Sequence, residues 1–190
     1  MTTIVFRAVG LTFDAFLVSF SIMARQIIKS GQVAENRKAR FEYAVEDTIE
    51  AGISLTGAEV KSVRYGLVNI SDAFVQTSGA TARRGLTAGS DINLVLSNMV
   101  IQALPTANKA VPFNERRYRQ LLLHRNQINR LAGKLNEKGA TIVPLKIYFN
   151  ARGRLKVLLG VGFGKSKIDK RETIKKREWE KDKARVLKRG

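Results

Sequence analysis

The sequence predicts a mainly β domain with a few helices, arranged as a small barrel or sandwich on which the helices pack. Three observations support this class. Apolar residues make up 44% of the 190-residue chain, which is enough for a core. Several short segments have the composition of strands bounded by turn residues. The last two of them, 141–149 and 154–161, flank the turn sequence Asn-Ala-Arg-Gly and predict a hairpin.

The first elements are predicted upstream of residue 64. Residues 40–46 and 53–55 have the pattern of short strands, and the linker between them is compatible with a short helix ending at Gly52. A second short helix is expected over residues 57–63.

The middle of the chain alternates between strands and loops. A half-buried strand is expected over residues 69–75, and strand character returns over 92–103. The intervening residues 77–91 are rich in Gly, Ser and Thr and predict a long loop, and residues 105–112 predict another.

The strongest helical pattern covers residues 114–138. Its apolar residues recur at helical spacing: Tyr118, Leu121, Leu122, Ile128, Leu131 and Leu135. Gly139 suits the position after a helix C-terminus. In the next strand, Pro144 lacks a backbone donor, which predicts an edge position or a bulge.

Charge and composition restrict the possible functions. Lys and Arg number 34 against 16 Asp and Glu, for a net charge of +18, which favours nucleic acid or an anionic membrane as partner. Without cysteine, the chain has no disulfides, thiolate zinc sites or thiol catalysis. A single histidine, His124, disfavours a His-rich metal site. We expect a cytoplasmic protein without a cofactor.

The basic excess is greatest in the C-terminal tail, residues 165–190. This segment has twelve Lys or Arg, five Asp or Glu, and apolar residues too sparse to form a buried stripe. Such a segment is expected to be poorly ordered when free in water. Its cations suit a phosphate backbone, and Trp179 offers a stacking face for a base. A solvated tail or an ordinary charged helix face is the alternative.

The N-terminus has a different composition. Residues 4–24 are mostly apolar, but Arg7 and Asp14 interrupt them, which disfavours a membrane span. A start at Met23 is the favoured explanation, with residues 1–22 dispensable; a signal peptide or anchor is the alternative. The predicted division is therefore an N-terminal extension (1–30), a domain (31–164) and the tail (165–190).

Catalytic motifs are weak, and a non-enzymatic protein is expected. Residues 159–166, L-G-V-G-F-G-K-S, approach the phosphate-binding loop but have Leu159 in place of its first glycine. A nucleotide hydrolase using Lys165 and Ser166 would need magnesium-dependent turnover. His124 has no evident nucleophile or orienting carboxylate beside it.

Four ordered motifs carry a family resemblance. They are E-A-G, E-V-K-S-V-R-Y-G-L-V-N-I-S-D-A-F-V, R-Q-L-L-L-H-R-N-Q-I and K-I-D-K-R-E-T-I-K-K-R-E-W. Together they resemble the small protein B family of SsrA-binding proteins, over residues 36–188. The resemblance implies a six-stranded antiparallel barrel of OB-like topology with three helices. It also implies binding to the tRNA-like part of transfer-messenger RNA (tmRNA) and its delivery to stalled ribosomes for trans-translation.

The same resemblance implies two sets of site residues. The RNA-binding set is Asn36, Ala39, Tyr43, Glu50, Ala51, Gly52, Lys61, Ser62, Arg64, Gly66, Asn69 and Leu122. The tail set, expected to form a helix in the mRNA path near the decoding centre, is Asp169, Lys170, Arg171, Ile174, Lys175, Arg177 and Trp179. Simpler roles remain open for four residues: turns for Gly52 and Gly66, core packing for Leu122, and a helix end for Glu50.

Three positions depart from the family pattern. Phe41 stands where a histidine is often found, Gln120 where a lysine usually precedes the leucines, and Ser166 where the second lysine of G-K-K is usual. The last two each remove a phosphate-seeking charge. The expected partners are tmRNA and the ribosome, the expected state is a monomer, and no membrane is expected. The alternative function is a structural ribosomal protein with a basic extension.

Overall fold

The computed structural model of the chain describes residues 27–78, 92–105 and 113–187. The N-terminal apolar segment, with the predicted start at Met23, lies outside these residues. So do most of the predicted loops 77–91 and 105–112. None of the helices in the described ranges is long and apolar enough to cross a membrane.

Strands dominate the fold, as predicted. They are β1 Gly31–Glu35, β2 Tyr43–Ile53, β3 Val68–Asn69, β4 Phe74–Ser78, β5 Asn93–Ser97, β6 Val100–Ile101, β7 Arg119–Leu122, β8 Ala140–Phe149 and β9 Leu155–Gly164. Seven form one antiparallel sheet in the order β1-β8-β9-β2-β7-β5-β4, and β3 pairs with β6. The main sheet thus has seven strands instead of the six expected. Its first and last strands, β1 and β4, do not pair with each other, so hydrogen bonding does not close the sheet into a barrel.

Four helices occur in the described part of the chain, one more than expected: α1 Arg37–Glu42, α2 Gly57–Arg64, α3 Arg125–Asn136 and α4 Lys167–Leu187. A capping box begins α2, because the Thr56 hydroxyl accepts a bond from the Glu59 N–H and the Glu59 carboxylate accepts one from the Thr56 N–H. This local signal explains why a helix was predictable over 57–63.

One core fills the inside of the sheet, and α3 covers part of it. Leu96, Ile142 and Val157 are fully buried in this core, together with Leu131 from α3. Strand β8 is also buried on its outer face, where Val143 and Leu145 pack against Ala39 of α1. Both faces of β8 are therefore covered, which suits its nearly continuous apolar sequence.

The predicted helix before Gly52 is wrong, because β2 runs unbroken from Tyr43 to Ile53. Its burial alternates, with Ile49, Ala51 and Ile53 more buried than their neighbours. The register shifts between Val45 and Asp47, as in a β-bulge. Asp47 stands at one of the alternating, less exposed positions of β2, so the apolar alternation in the sequence is interrupted there, which concealed the strand.

The long helix predicted over residues 114–138 is also wrong in its first half. Residues 119–122 form β7 between β2 and β5, and the helix begins only at Arg125. His124 is accordingly the residue before α3 and not part of a helix. Strand pairing overrides the local helical spacing here, because β7 completes hydrogen bonding on both sides.

The predicted hairpin is confirmed. Strands β8 and β9 pair along their length around a turn in which Gly153 has φ +70°, and the register shifts beside Pro144, at the predicted bulge. Residues 159–164, which resemble a phosphate-binding loop, are strand residues of β9 paired with β2 and β8. The backbone there is therefore not a phosphate-binding loop.

Residues 167–187 of the tail form a helix, α4, and the poor order expected of this segment when it is free in water stays a prediction. Lys, Arg and Glu have high intrinsic helix propensity, so a helix can form without burying a face. Contacts along α4 add support: Arg185 pairs with Asp182 at 3.4 Å, and the Lys183 ammonium lies 5.3 Å from the centre of the Trp179 ring.

Candidate nucleic-acid interface

The short pairing of β2 with β7 is the centre of the candidate interface. Gly52 lies opposite Leu122, and Ile53 lies opposite Leu121. Because side chains alternate along a strand, Leu121 is 2% exposed whereas Leu122 is 55% exposed. A pure core role for Leu122 is thereby contradicted. Gly52 belongs to a strand and not to a turn.

Two grooves border this pairing. The larger, about 780 Å³, runs between β2, β7 and the start of α3 and includes Glu50 and His124. The smaller, about 430 Å³, reaches Phe149 at the end of β8. Gly52, Leu122 and Lys156 line both grooves. An exposed leucine therefore lies between two concave surfaces, with a lysine beside it.

Glu50 lies at the edge of the larger groove in a network with two partners. The Tyr148 hydroxyl donates to its carboxylate, and Lys156 Nζ lies 2.9 Å from Glu50 Oε1. The hydrogen bonds from Tyr148 and Lys156 lower the pKa of Glu50. The hydrogen bond between Tyr148 and Glu50 also raises the pKa of Tyr148 to about 12. Glu50 is in a strand, so its alternative role at a helix end is contradicted. Its negative charge is offset by Lys156.

Helix α2 carries two of the predicted RNA-binding cations. Lys61 is exposed, and the Arg64 guanidinium lies 5.3 Å from the centre of the Phe149 ring, beside the smaller groove. Ser62, between them, is 1% exposed. Gly66 follows the helix with φ +73°, a conformation that favours glycine, so a turn role is supported.

A buried ionic network holds α2 against β7. Arg119, fully buried, donates from Nε to Glu59 Oε1 at 2.9 Å and from its terminal nitrogens to the carbonyls of Met99, Arg117 and Glu115. Arg117 Nε also donates to Glu59 Oε1, at 2.9 Å. Burial favours the neutral form of Glu59, but hydrogen bonds from Arg117 and Thr56 and the charge of Arg119 outweigh it and lower its pKa.

Four predicted RNA-binding residues lie at the other end of β2 or beyond it. Asn36 is 1% exposed: its Oδ1 accepts from Ala39 N–H at 2.8 Å, and its Nδ2 donates to the Ile70 carbonyl at 2.9 Å. Ala39 is a buried residue of α1, Tyr43 begins β2, and Asn69 is exposed in β3. Asn36 thus joins α1 to the segment after β3.

The predicted RNA-binding residues therefore form two groups and not one cluster. Tyr43 and Gly52 lie near opposite ends of the 11-residue strand β2, which corresponds to about 30 Å of strand at 3.3 Å per residue. We call the groups the seam patch (Glu50, Gly52, Lys61, Arg64 and Leu122) and the α1 patch (Asn36, Ala39, Tyr43 and Asn69). Ala51, 1% exposed, supports the seam patch from the core.

The predicted tail residues all lie in α4. Arg171, Ile174, Lys175 and Trp179 are exposed, with Ile174 at 43% and Trp179 at 65%. Lys170 and Arg177 belong to the same helix. Asp169 is in its first turn, where its carboxylate accepts a bond from the Ser166 hydroxyl at 2.8 Å.

Sequence reasoning missed two residues that contact Glu50 of the seam patch, Tyr148 and Lys156. Both lie on the β8–β9 hairpin, where they are direct cross-strand partners. The signal was available, since a polar residue at an alternating position of an apolar strand marks the outer face. Among residues 27–78, 92–105 and 113–187, no group of three acidic or histidine side chains could hold a metal ion.

Comparisons of this chain with a family model and with individual proteins indicate the same family. A family model described as SmpB protein matches residues 33–189. The SsrA-binding proteins of Rhodopseudomonas palustris strain HaA2 and Nitrobacter hamburgensis are each 50% identical over 157 residues, which is 82% of this chain and 90% of theirs.

A solved structure agrees with these sequence matches. The chain resembles one in a structure described as "tmRNA-SmpB: a journey to the center of the bacterial ribosome", with 40% identity and a TM-score of 0.55. The match covers 74% of this chain and 93% of that one. The resemblance carried by the four sequence motifs is confirmed, and the chain belongs to the SmpB protein family.

Proposed function

We propose that this protein is a non-enzymatic RNA-binding factor that binds the tRNA-like part of tmRNA and delivers it to stalled ribosomes for trans-translation. Its relatives are named SsrA-binding proteins, and the similar solved chain is from a tmRNA-SmpB structure on the ribosome. The observation that carries the proposal is the seam patch, where exposed Leu122 lies between two grooves of a chain with net charge +18.

The seam patch suits looped or single-stranded RNA. Such RNA is recognised by shape, stacking and phosphate contacts instead of by a groove code. Leu122 offers an apolar contact for an unstacked base, while Lys61 and Arg64 offer charge to phosphates. We further propose that the sheet acts as an OB-like barrel, since β4 packs against β8 across its open side.

The α1 patch and α4 would serve the second step of the proposed function, which is delivery of tmRNA to the stalled ribosome. The α1 patch lies near the origin of α4, because Tyr43 pairs with Gly164 at the end of β9. The exposed cations and Trp179 of α4 fit a channel lined by ribosomal RNA. We propose that α4 occupies the empty mRNA path next to the decoding centre. The protein would act in the cytoplasm as a monomer.

Selectivity for tmRNA separates this function from that of a structural ribosomal protein. The measurement is a competition assay in which the protein, bound to labelled tRNA-like tmRNA fragment, is challenged with the unlabelled fragment or with ribosomal RNA hairpins of equal length. We expect the unlabelled fragment to compete at least tenfold better at physiological salt. Equal competition would support the structural alternative and reject the proposal.

A further inference from the structure

Two residues at the start of α4, Ser166 and Asp169, are hydrogen-bonded to each other. The Ser166 N–H donates to Asp169 Oδ2 at 3.0 Å, and the Asp169 N–H donates to Ser166 Oγ at 3.3 Å. The Ser166 hydroxyl also donates to Asp169 Oδ2 at 2.8 Å. Since α4 begins at Lys167, Ser166 is the N-cap residue and Asp169 is at the third helical position. This is a reciprocal capping box with aspartate in the place of glutamate.

The residue before the cap is attached to the domain. The Lys165 N–H donates to the Glu42 carbonyl at 2.8 Å, and Lys165 Nζ donates to the Arg40 carbonyl at 3.3 Å. Both carbonyls are at the C-terminal end of α1, where helical carbonyls lack partners within the helix. The chain thus goes from β9, through one anchored residue, directly to the cap of α4.

We propose that Ser166 and Asp169 are positioning residues that set where α4 begins and how it leaves the domain. Asp169 then acts in the tail by holding the helix and not by contacting RNA. The inference deepens the proposed function, on which its second experiment rests. It concerns this chain in particular, because Ser166 stands where the family pattern has lysine. A lysine ammonium has donors only and cannot accept the Asp169 N–H.

Electrostatics agree with this assignment. Asp169 is one of five acidic residues among twelve cations in the tail, and a carboxylate is repelled by RNA phosphates. The hydrogen bonds from the Ser166 side chain and backbone lower the pKa of Asp169 below its ordinary value of 3.8. The carboxylate is therefore ionised at neutral pH, where it also interacts favourably with the N-terminus of the helix.

The first experiment measures the cap in the full-length protein. Backbone NMR chemical shifts report the helical population of residues 167–173 in wild type and in Ser166→Ala, Asp169→Ala and Ser166→Thr. We expect the two alanine variants to lower the helix-to-coil ratio roughly two- to fivefold, whereas threonine, which also caps, leaves it nearly unchanged. Unchanged shifts in both alanine variants would overturn the proposal, whatever the protein's function.

The second experiment separates positioning from contact. Tagging of a nascent chain on stalled ribosomes is compared for Asp169→Ala, Asp169→Gln and wild type. Glutamine keeps the acceptor at the third helical position but removes the charge, so we expect tagging near the wild-type level for Gln and a severalfold loss for Ala. Equal losses in both would mean that the charge contacts a partner and would overturn the positioning role. A wild-type protein without tagging would instead reject the proposed function, leaving the NMR result intact.

Discussion

Gly52 and Leu122 face each other across the β2–β7 pair so closely that a Cβ on Gly52 would lie 3.1 Å from the Leu122 Cβ. This is tighter than ordinary van der Waals contact, so a side chain at position 52 would require Leu122 to shift by a few tenths of an ångström. The absence of a side chain at Gly52 therefore allows Leu122 to hold its exposed position between the two grooves.

Replacing Leu122 by alanine should weaken RNA binding without unfolding the domain. The side chain is 55% exposed, so we expect the free energy of unfolding to fall by about 0.5 kcal/mol or less. Affinity for the tRNA-like RNA should fall roughly tenfold, because an apolar contact that buries a leucine side chain is worth about 1.5 kcal/mol or more. Urea denaturation and fluorescence anisotropy measure the two quantities.

Leu121→Ala is the matched control, one residue away on the buried face. Leu121 is 2% exposed, so its truncation should cost about 2–5 kcal/mol of unfolding free energy. If Leu122→Ala lost stability like Leu121→Ala, or kept full RNA affinity, the role of Leu122 at the interface would be wrong.

Reversing the charges of Lys61 and Arg64 to glutamate should weaken RNA binding and flatten its dependence on salt. Each lost phosphate contact lowers the slope of log affinity against log salt by about 0.7–0.9, because fewer counterions are released. The measurement is a salt titration of RNA affinity. Lys134→Glu, on a half-exposed α3 residue paired with Glu137, is a control with the same type of charge change. If Lys134→Glu changed the slope of log affinity against log salt as much as the reversals of Lys61 and Arg64 do, the change would reflect only the net charge.

Glu59→Ala should strongly destabilise the domain, because the buried Arg119 guanidinium would lose the carboxylate with which it pairs. Removing one partner of a buried pair costs about 3–5 kcal/mol, whereas Glu137→Gln, at an exposed ion pair, should cost less than about 1 kcal/mol. Urea denaturation at pH 7 measures both variants.

The effect of Glu59 should also depend on pH. Its pKa is lowered in the folded state, so its stabilisation is complete above the ordinary value of 4.5 and is lost as pH falls through the lowered pKa. Wild type and Glu59→Ala should therefore converge in stability in acid. A constant difference between pH 7 and pH 3 would contradict the ionic role.

Truncation after Gly164 should separate RNA binding from tagging. Strand β9 ends at Gly164, so the sheet keeps all its strands and the domain should remain folded. We expect the complex with tRNA-like RNA to survive, and tagging on stalled ribosomes to be lost, because the removed segment carries all twelve tail cations and Trp179. The assays are an RNA gel shift and tagging of a stalled nascent chain. If the truncated protein no longer bound free RNA, the tail would be the main site of RNA binding. If tagging survived truncation, the tail would be only a solvated extension.

Some features of this protein depend only on neighbouring residues, and the sequence by itself determined them. The β8–β9 hairpin follows from two apolar strands around a turn containing Gly153, and α2 from the capping pair Thr56 and Glu59. Composition determined the basic charge, and the order of four motifs identified the family. Local backbone preference and charge decide each of these, so no distant contact was required.

The tertiary structure alone decided features that join distant parts of the chain. Leucines at helical spacing became strand β7 because β2 and β5 offered hydrogen bonds on both sides. That pairing buried Leu121, exposed Leu122 and gave Gly52 its partner. Likewise, Arg119 is buried at low cost only because Glu59 reaches it from α2. Local sequence cannot specify such partners, since the free energy that selects a strand or buries a charge comes from contacts that form only when the whole sheet folds.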